Sequence, residues 1–420
     1  MAQELSPEER TPLYLKVGTY FRPSTPIDGK ELFSGRLGVV SQVIDTLYQD
    51  GQHAVIYGER GVGKTSLVRT LADFVKDVIS TTNQPRTIIS PHVDCDGTDN
   101  FSRLWMKIFS RIDILTGERP MGFNALVDVS RSTISGQLQG IEVTPDIVVR
   151  VLSDLSKGAL VFVVLDEFDR LKDSDARRLI ADTIKALSDY NVQATLLIVG
   201  VGDNVGQLIS EHNSIGRNLV QIPLPRMSKE ELETIVKKAA EGLGMEITSS
   251  ALERIVSMSR GLPNYTHALG LHAFRNAIQR GTRGVEESDI NSAIAAVLAA
   301  TQQSVRDAVT KAVSTSKKNA IYADVLLACA LTKAGDVGYF SAGDVRDPLN
   351  KLTGKSYGIS NYVRHLNEFC GDQRGKVLQC EGQRYQRRYR FSESLFQPFI
   401  IMEGIRSGRL KDLLLSLGVT

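Results

Sequence analysis

The chain has 420 residues, of which 42% are hydrophobic and 23% are charged, and its formal net charge is +2. This length exceeds one typical core and predicts two or three domains in a globular protein. The longest apolar runs are too short to span a bilayer and the first ten residues lack a signal-peptide pattern, so we expect no membrane span and a cytoplasmic location. Four cysteines without paired CxxC spacing argue against a disulfide framework or a structural zinc site.

Charge is distributed unevenly along the chain. Residues 301–420 carry eighteen Lys and Arg against eleven Asp and Glu, whereas residues 1–300 carry thirty-two against thirty-seven. An acidic partner, if there is one, would therefore bind the last third.

The first 227 residues combine an arm with an alternating pattern. Four prolines and little periodicity in residues 1–30 predict an extended N-terminal arm. Over residues 31–227 the pattern predicts strands at 54–57, 86–93, 160–165 and 194–200 and helices at 37–48, 101–112 and 173–188. Such alternation is typical of an α/β fold with a parallel sheet covered by helices. Residues 115–143 look irregular.

A glycine-rich segment follows the first apolar strand and leads into a helical pattern, as in a P-loop. Its glycines let backbone N–H groups wrap phosphates at close range, which predicts binding of a nucleoside triphosphate. Lys64 would reach the β- and γ-phosphates, and the Thr65 hydroxyl would ligate Mg²⁺. The predicted phosphate-binding residues are Gly58, Glu59, Arg60, Gly61, Val62, Gly63, Lys64, Thr65 and Ser66.

The apolar strand before Asp166 and Glu167 has the pattern of a Walker B segment. In P-loop ATPases the first acid, here Asp166, would hold Mg²⁺ through water, and Glu167 would polarise the attacking water. Asp169 is expected to be a helix-start or surface acid.

Residues 228–300 have a mostly helical pattern and predict a small lid domain. In residues 301–420, three helical patterns at 320–332, 341–352 and 359–369 precede short strands at 375–380 and 385–391, which is the plan of a winged helix. Residues 351–390 hold nine Lys and Arg against three Asp and Glu.

The basic residues of this last unit are candidates for contacts with duplex DNA. The third helix offers Asn361, Arg364 and His365, and the hairpin offers Arg384, Arg387 and Arg388. The alternative is a winged helix that binds a partner protein and carries these arginines on a solvated face.

The Asp-Glu Walker B, the Leu-Phe-Ser-Gly-Arg element at 32–36 and the helical lid together resemble the AAA+ ATPases and, within them, the origin-recognition-type clade of replication initiators. The resemblance implies an adenine pocket at Ile27, Phe33, Gly35 and Arg36, although these positions also fit simple packing of the arm. It places a γ-phosphate sensor at Asp203 or Asn204, between which the sequence does not choose.

The same resemblance places an arginine finger, which completes the site of a neighbouring subunit, at Arg217. The alternative for Arg217 is an ordinary surface salt bridge.

The triplet Gly261-Leu262-Pro263 resembles the GxP element of the signal-transduction ATPases with numerous domains, in which the proline packs near adenine. Arg260 precedes this turn and is a poor substitute for the lid arginine of many AAA+ proteins. Together the resemblances imply a slow ATPase that uses ATP and Mg²⁺, forms a homo-oligomer and acts as a nucleotide-controlled switch. A signalling or defence scaffold that binds a partner protein is the alternative.

Overall fold

The computed structural model describes residues 4–27, 29–31, 33–81, 86–118, 128–202, 206, 216–315, 321–335, 338–383 and 386–410. The N-terminal part holds helices α1 to α7 and strands β1 to β8. In chain order these elements are α1 (Pro7–Tyr20), α2 (Leu37–Leu47), β1 (His53–Gly58), α3 (Lys64–Ser80), β2 (Thr87–Ile89), β3 (His92–Asp94), α4 (Phe101–Phe109), β4 (Asp113–Glu118), β5 (Asp128–Thr133), α5 (Ile134–Gln137), α6 (Pro145–Ser156), β6 (Ala159–Asp166), α7 (Ser174–Asp189), β7 (Ala194–Val201) and β8 (Leu219–Pro223).

A parallel sheet in the order β2-β6-β7-β1-β8, with β3 also paired to β6, forms the centre of this part. β6 is buried along its whole length, as expected for an apolar strand covered on both faces. The predicted parallel sheet is therefore confirmed. The carboxyl ends of β1, β6 and β7 meet at one edge, where ligands of open α/β sheets bind.

Three local predictions are corrected by the structure. The predicted extended arm contains α1, which begins with a reciprocal capping box between Ser6 and Glu9 and has Pro7 at its first position, where no backbone donor is needed. The predicted strand over 86–93 is divided into β2 and β3 at Pro91, which has no N–H to donate. Part of the segment predicted to be irregular forms an antiparallel hairpin of β4 and β5.

The lid consists of helices α8 to α11 with one short pair of parallel strands, β9 and β10. Its elements are α8 (Lys229–Leu243), β9 (Glu246–Ile247), α9 (Ser249–Ser259), α10 (Pro263–Gln279), β10 (Gly284–Val285) and α11 (Glu287–Ala300). The capping box predicted at Ser228 is present, with Glu231 as its second member. Helix α1 packs against α8 and α10, so the N-terminal segment is attached to the lid.

The C-terminal part has a winged-helix plan, in which three of its helices, α13 to α15, accompany a three-stranded antiparallel sheet in the order β11-β13-β12. Its elements are α12 (Gln303–Val313), α13 (Tyr322–Leu331), β11 (Phe340–Ser341), α14 (Ala342–Thr353), α15 (Ile359–Phe369), β12 (Leu378–Glu381), β13 (Arg388–Phe391) and α16 (Phe396–Arg406). Helix α16 packs against α13 and also against α9 and α11 of the lid. Over the described part of the chain, no helix is long and apolar enough to cross a membrane.

Candidate nucleotide-binding site

A cavity of about 620 Å³ lies at the carboxyl edge of the central sheet. It is bounded by residues 60–66 of the P-loop, by the ends of β6 and β7, by residues 22–27 of the arm, by the lid and by Leu395. The strands end here with Asp166 and Val201, so the fold brings the predicted phosphate-binding and carboxylate groups into one space.

The P-loop backbone is held in a shape that requires glycine. A Cβ on Gly58 would lie 2.3 Å from the carbonyl oxygen of Leu224. This oxygen is a backbone atom, so it could not move away without distorting the chain. Gly63 caps α3 in the left-handed region, at φ 98°, and so turns the following N–H groups toward the cavity. This is the anion-binding geometry of a helix N-terminus.

Lys64 is buried at the start of α3 and lines the cavity. Its Nζ donates to the carbonyl oxygens of Gly58 (2.9 Å) and Glu59 (2.7 Å). Burial lowers the pKa of Lys64 to about 8, although the carboxylates of Asp169 and Asp166 favour its charged form. Among the described residues this ammonium group forms no ion pair, and a phosphate would supply a directly bonded anion at the bottom of the cavity.

Asp166 is 2% exposed and lies beside Thr65. Burial raises the pKa of its carboxyl, but the nearby His92 imidazole, the Thr65 hydroxyl and the Glu167 N–H outweigh it, so the net pKa is below its usual range. The ionised carboxylate next to a threonine hydroxyl is a donor set that fits Mg²⁺. Thr65 and Asp166 are therefore the residues that would hold the metal.

Glu167 begins a turn in the left-handed region, at φ 51°, a conformation that costs roughly 1–2 kcal/mol for a non-glycine residue. Its N–H donates to Asp166 Oδ1 (2.8 Å), which holds this turn in place. The Glu167 carboxylate forms an ion pair with Arg170, and both side chains are about half exposed. The cavity wall includes both residues, so the carboxylate faces the space where a nucleotide would react.

Asp169 also lines the cavity, and its Oδ1 accepts a hydrogen bond from the Val201 N–H (2.8 Å). Asp169 is exposed and lies in the first turn of a short 3-10 helix (Phe168–Arg170), as expected of a helix-start or surface acid. This carboxylate joins the end of β6 to the end of β7, because the turn after Glu167 brings it back over the sheet. The only feature of the sequence that could have indicated this contact is the position of Asp169, three residues after Asp166.

The arm and the segment before α2 close one side of the cavity. The Ile27 N–H donates to Ser66 Oγ (3.1 Å), and Phe33 packs edge-on against Phe74. The Arg36 guanidinium is buried and donates to the carbonyl oxygen of Pro225 (2.5 Å), and its backbone N–H donates to Glu231 (2.9 Å). Phe33 and Arg36 thus line the cavity and pack the arm at the same time.

On the lid side, Pro263 begins α10 and lies 3.8 Å from the Cβ position of Gly63. Pro263 and His267 line the cavity. Arg260 instead lines a separate cavity of about 280 Å³ with Arg226 and Gln397. Burial, and then repulsion from Arg226, lower the pKa of Arg260 to about 10. Its guanidinium is therefore not part of the nucleotide cavity.

The chain matches the family model described as Novel STAND NTPase 1 over residues 26–338, which include the P-loop, the Walker B acids, the lid and the Gly-Leu-Pro turn. The chain belongs to this family. The resemblance drawn from Gly261-Leu262-Pro263 is thereby confirmed, and the protein is a nucleotide-binding STAND NTPase. A comparison with curated proteins finds no relative.

Two solved structures share the fold of this STAND NTPase. The ORC2 protein of Aeropyrum pernix aligns with a TM-score of 0.52 and 15% identity, over 93% of this chain and 98% of the other. A Walker-type ATPase of Pyrococcus abyssi aligns with a TM-score of 0.52 and 15% identity, over 91% and 99%. Because these alignments extend over most of the chain, they support the P-loop core, the lid and the winged helix as one fold.

Four predicted site residues of the STAND NTPase lie either outside the nucleotide cavity or outside the described residues. Arg217 is exposed before β8 and outside the lining of the nucleotide cavity, as a residue acting on a neighbouring subunit would be. Asp203 and Asn204 lie outside the described residues, and so does Arg384. The roles of these residues stay predictions.

The winged helix contacts the P-loop directly. The Ser394 hydroxyl donates to the carbonyl oxygen of Arg60, and Leu395 lines the nucleotide cavity. The Tyr265 hydroxyl of the lid donates to the carbonyl oxygen of Leu395 (2.9 Å). Residues just before α16 therefore join the P-loop and the lid at the cavity mouth.

A second connection runs through Arg226, which follows β8. Its guanidinium forms an ion pair with Glu59 (2.7 Å) and donates to the Gln397 side chain and the Arg260 carbonyl oxygen. The Glu59 side chain points into this interface and does not line the nucleotide cavity, although it was predicted with the phosphate-binding residues. Nothing in the local sequence of Arg226 signals this role, because its partners are distant in the chain.

The basic residues of the winged helix divide into exposed and packed groups. Arg364 is 83% exposed and pairs with Glu368, and Arg387 donates to Asn367 (2.7 Å) on the same helix. Arg388 is also exposed. His365, expected to face a groove, packs edge-on against Tyr322 at 4.5 Å and is half-buried. The exposed arginines are the part of the predicted DNA surface that solvent reaches.

Proposed function

We propose that this STAND NTPase is a slow ATPase that works as a nucleotide-controlled, oligomerising switch and contacts duplex DNA through its winged helix. The observation that carries the proposal is the contact of Ser394 and Leu395 with the P-loop and its cavity. A change in what fills the cavity alters the surface on which the winged helix rests. Binding energy at the P-loop can thus shift the domain arrangement.

ATP is the proposed nucleotide. The Aeropyrum pernix ORC2 structure is of ADPNP–ADP complexes, and the cavity here offers a P-loop, a buried lysine and the apolar residues Ile27, Phe33 and Pro263. Bound Mg²⁺ neutralises charge on the β- and γ-phosphates. Thr65 and Asp166 would hold the ion, and Lys64 would donate to the phosphate oxygens.

For hydrolysis, Glu167 orients the attacking water and accepts its proton. Its Oε2 accepts a hydrogen bond from Arg170, and breaking this exposed pair costs at most about 1 kcal/mol, which slows hydrolysis by no more than about fivefold. Slow turnover, which suits a switch more than a motor, is part of the proposal. The four free cysteines suit a reducing compartment, and we propose the cytoplasm.

Arg217 is proposed to act on the nucleotide of a neighbouring subunit. It is exposed, and it lies near the edge of the sheet at β8, where a second copy can reach it. A finger supplied in trans would couple hydrolysis to assembly. A homo-oligomer is therefore part of the proposal.

Contact with duplex DNA is supported by the exposed Arg364 and Arg388 and by the partly exposed Arg387, which donates to Asn367 of α15. Each arginine that neutralises a phosphate changes the slope of binding against salt by about 0.9. The alternative is recognition of a partner protein by the same face. Arg364 and Arg387 each donate to one side chain of α15, Glu368 and Asn367, and these bonds would compete with a phosphate contact.

The test is fluorescence anisotropy of a labelled duplex at two salt concentrations, with nucleotide-free, ADP-loaded and ATP-loaded protein. We expect salt-sensitive binding that depends on the nucleotide. Changing Arg387 and Arg388 to Ala should weaken it on all sequences and lower the salt slope by about 2. The matched control is Arg406→Ala, an exposed arginine of α16 paired with Glu403. Absence of binding at low salt in every state would discard the DNA contact in favour of a partner protein.

A further inference from the structure

We propose that His92, Asp94 and Asp166 form a site for a transition-metal cation of the Zn²⁺ class, beside the Thr65–Asp166 pair. The three residues lie on adjacent parallel strands, with Asp94 paired in register with Asp166. His92 is two residues before Asp94, and side chains two apart in a strand share a face. The topology therefore directs one imidazole and two carboxylates to the same side of the sheet.

The distances among these groups fit a tetrahedral metal. His92 Nε2 lies 3.4 Å from Asp166 Oδ2 and 3.5 Å from Asp94 Oδ1, and the three ligand atoms are within 4.8 Å of one another. Ligands at about 2.1 Å from Zn²⁺ with tetrahedral angles are about 3.4 Å apart. A charge-assisted N–H···O hydrogen bond is shorter, at about 2.7–2.9 Å.

The atoms facing each other also lack other partners. The Asp166 side chain is 3% exposed, and within the described part of the chain neither its Oδ2 nor His92 Nε2 forms a well-aligned hydrogen bond. A buried carboxylate oxygen without a hydrogen bond has lost its bound water and has gained no other partner in its place, which costs free energy. A cation between the two atoms would satisfy both.

The site has an entry path and a basis for selectivity. His92 and Asp94 line a cavity of about 410 Å³, and Asp94 is half exposed. Arg69 and Arg111 line the same cavity. Their positive charges repel a cation that is held only by electrostatic attraction. Imidazole coordination favours Zn²⁺ over Mg²⁺ or Ca²⁺, which prefer oxygen ligands. Three protein ligands leave a fourth position open to solvent.

One consequence rests on the proposed function. Asp166 belongs to both sites, so an ion bound to His92 and Asp94 would compete with Mg²⁺ for this carboxylate. Zn²⁺ would then inhibit ATP hydrolysis, and Mg²⁺ with ATP would weaken Zn²⁺ binding by mass action.

The first test measures Zn²⁺ itself on full-length, metal-stripped, nucleotide-free protein by competition with a chromogenic chelator. A Cys380→Ser background removes the exposed thiol. We expect one Zn²⁺ per chain, and at least about tenfold weaker binding in His92→Ala and in Asp94→Asn. The matched controls, His272→Ala and Asp73→Asn, should bind like the parent. A parent that binds no Zn²⁺, or variants that bind as the parent does, would overturn the site.

A second test compares Zn²⁺ inhibition of hydrolysis in the parent and in His92→Ala, each relative to its own rate without Zn²⁺. We expect inhibition in the parent and at least about tenfold more Zn²⁺ for the same inhibition in His92→Ala. Zn²⁺ binding without inhibition would keep the site and contradict the role given to Asp166 in the proposed function. A parent that hydrolyses ATP but binds no Zn²⁺ would do the reverse, because it would overturn the site and leave the role of Asp166 in the proposed function intact.

Discussion

The Ser394 hydroxyl donates a hydrogen bond to the carbonyl oxygen of Arg60, so a residue before the last described helix is bonded to the phosphate-binding loop 334 positions earlier. Leu395, the next residue, lines the nucleotide cavity itself. The winged helix is thus a wall of the site as well as a separate module. In the proposed function, these two residues connect nucleotide occupancy to domain position.

Lys64→Ala should weaken nucleotide binding by about 10- to 100-fold, because a buried charge-assisted hydrogen bond contributes about 1.5–3 kcal/mol. Titration with a fluorescent ATP analogue measures the change. Lys76→Ala on the same helix is the control, since this lysine is exposed and pairs only with Asp73 among the described ion pairs. Equal affinity in Lys64→Ala and the parent would exclude the phosphate role.

Glu167→Gln should keep ATP binding and lower the hydrolysis rate by about 10²- to 10⁴-fold, since it removes the proposed general base. Single-turnover hydrolysis and a binding titration on the same preparation separate the two effects. Hydrolysis at the parental rate would contradict the assignment of Glu167.

Arg170→Ala should raise the hydrolysis rate by no more than about fivefold. The change frees the Glu167 carboxylate from its ion pair, and an exposed pair is worth at most about 1 kcal/mol. Arg178→Ala, an exposed arginine of α7, is the matched control. A fall in rate with unchanged nucleotide affinity would mean that Arg170 assists the reaction.

Arg226→Ala should destabilise the chain by about 1–3 kcal/mol, because it leaves the half-buried Glu59 without its cation. The winged helix should then unfold or detach before the nucleotide domain in a urea titration. Lys229→Ala removes a more exposed charge nearby and should change little. A single transition at the parental midpoint would show that Arg226 does not join the domains.

Stability should fall between about pH 6.5 and pH 4. Burial lowers the pKa of His53 and of His267 to about 4, below the value of about 6.5 in the unfolded chain. In this window the unfolded state binds protons that the native state excludes, so the stabilisation is complete above pH 6.5 and is lost as the pH falls toward 4. Each imidazole contributes a slope of about 1.4 kcal/mol per pH unit, measurable by urea unfolding at four pH values. Constant stability across the window would contradict it.

Features with a local signal were predictable from the sequence. The P-loop, the apolar strand ending at Asp166 and the helix Ile359–Phe369 each depend on spacing within a short segment. Helix α1 also had such a signal, the Ser6–Glu9 capping box, which the prolines obscured. The contacts of Arg226 with Glu59 and of His92 with Asp166 join residues far apart in the chain, so only the folded sheet and domains reveal them.

Hydrogen exchange at residues 392–397 tests the nucleotide-controlled switch most directly. The measurement compares the nucleotide-free protein, the ADP-loaded protein and the ATP-loaded Glu167→Gln variant, in which hydrolysis is blocked. We predict that exchange in this segment is faster with ATP than with ADP, because the winged helix leaves the P-loop. Equal exchange in all three states, with nucleotide binding verified, would contradict the switch.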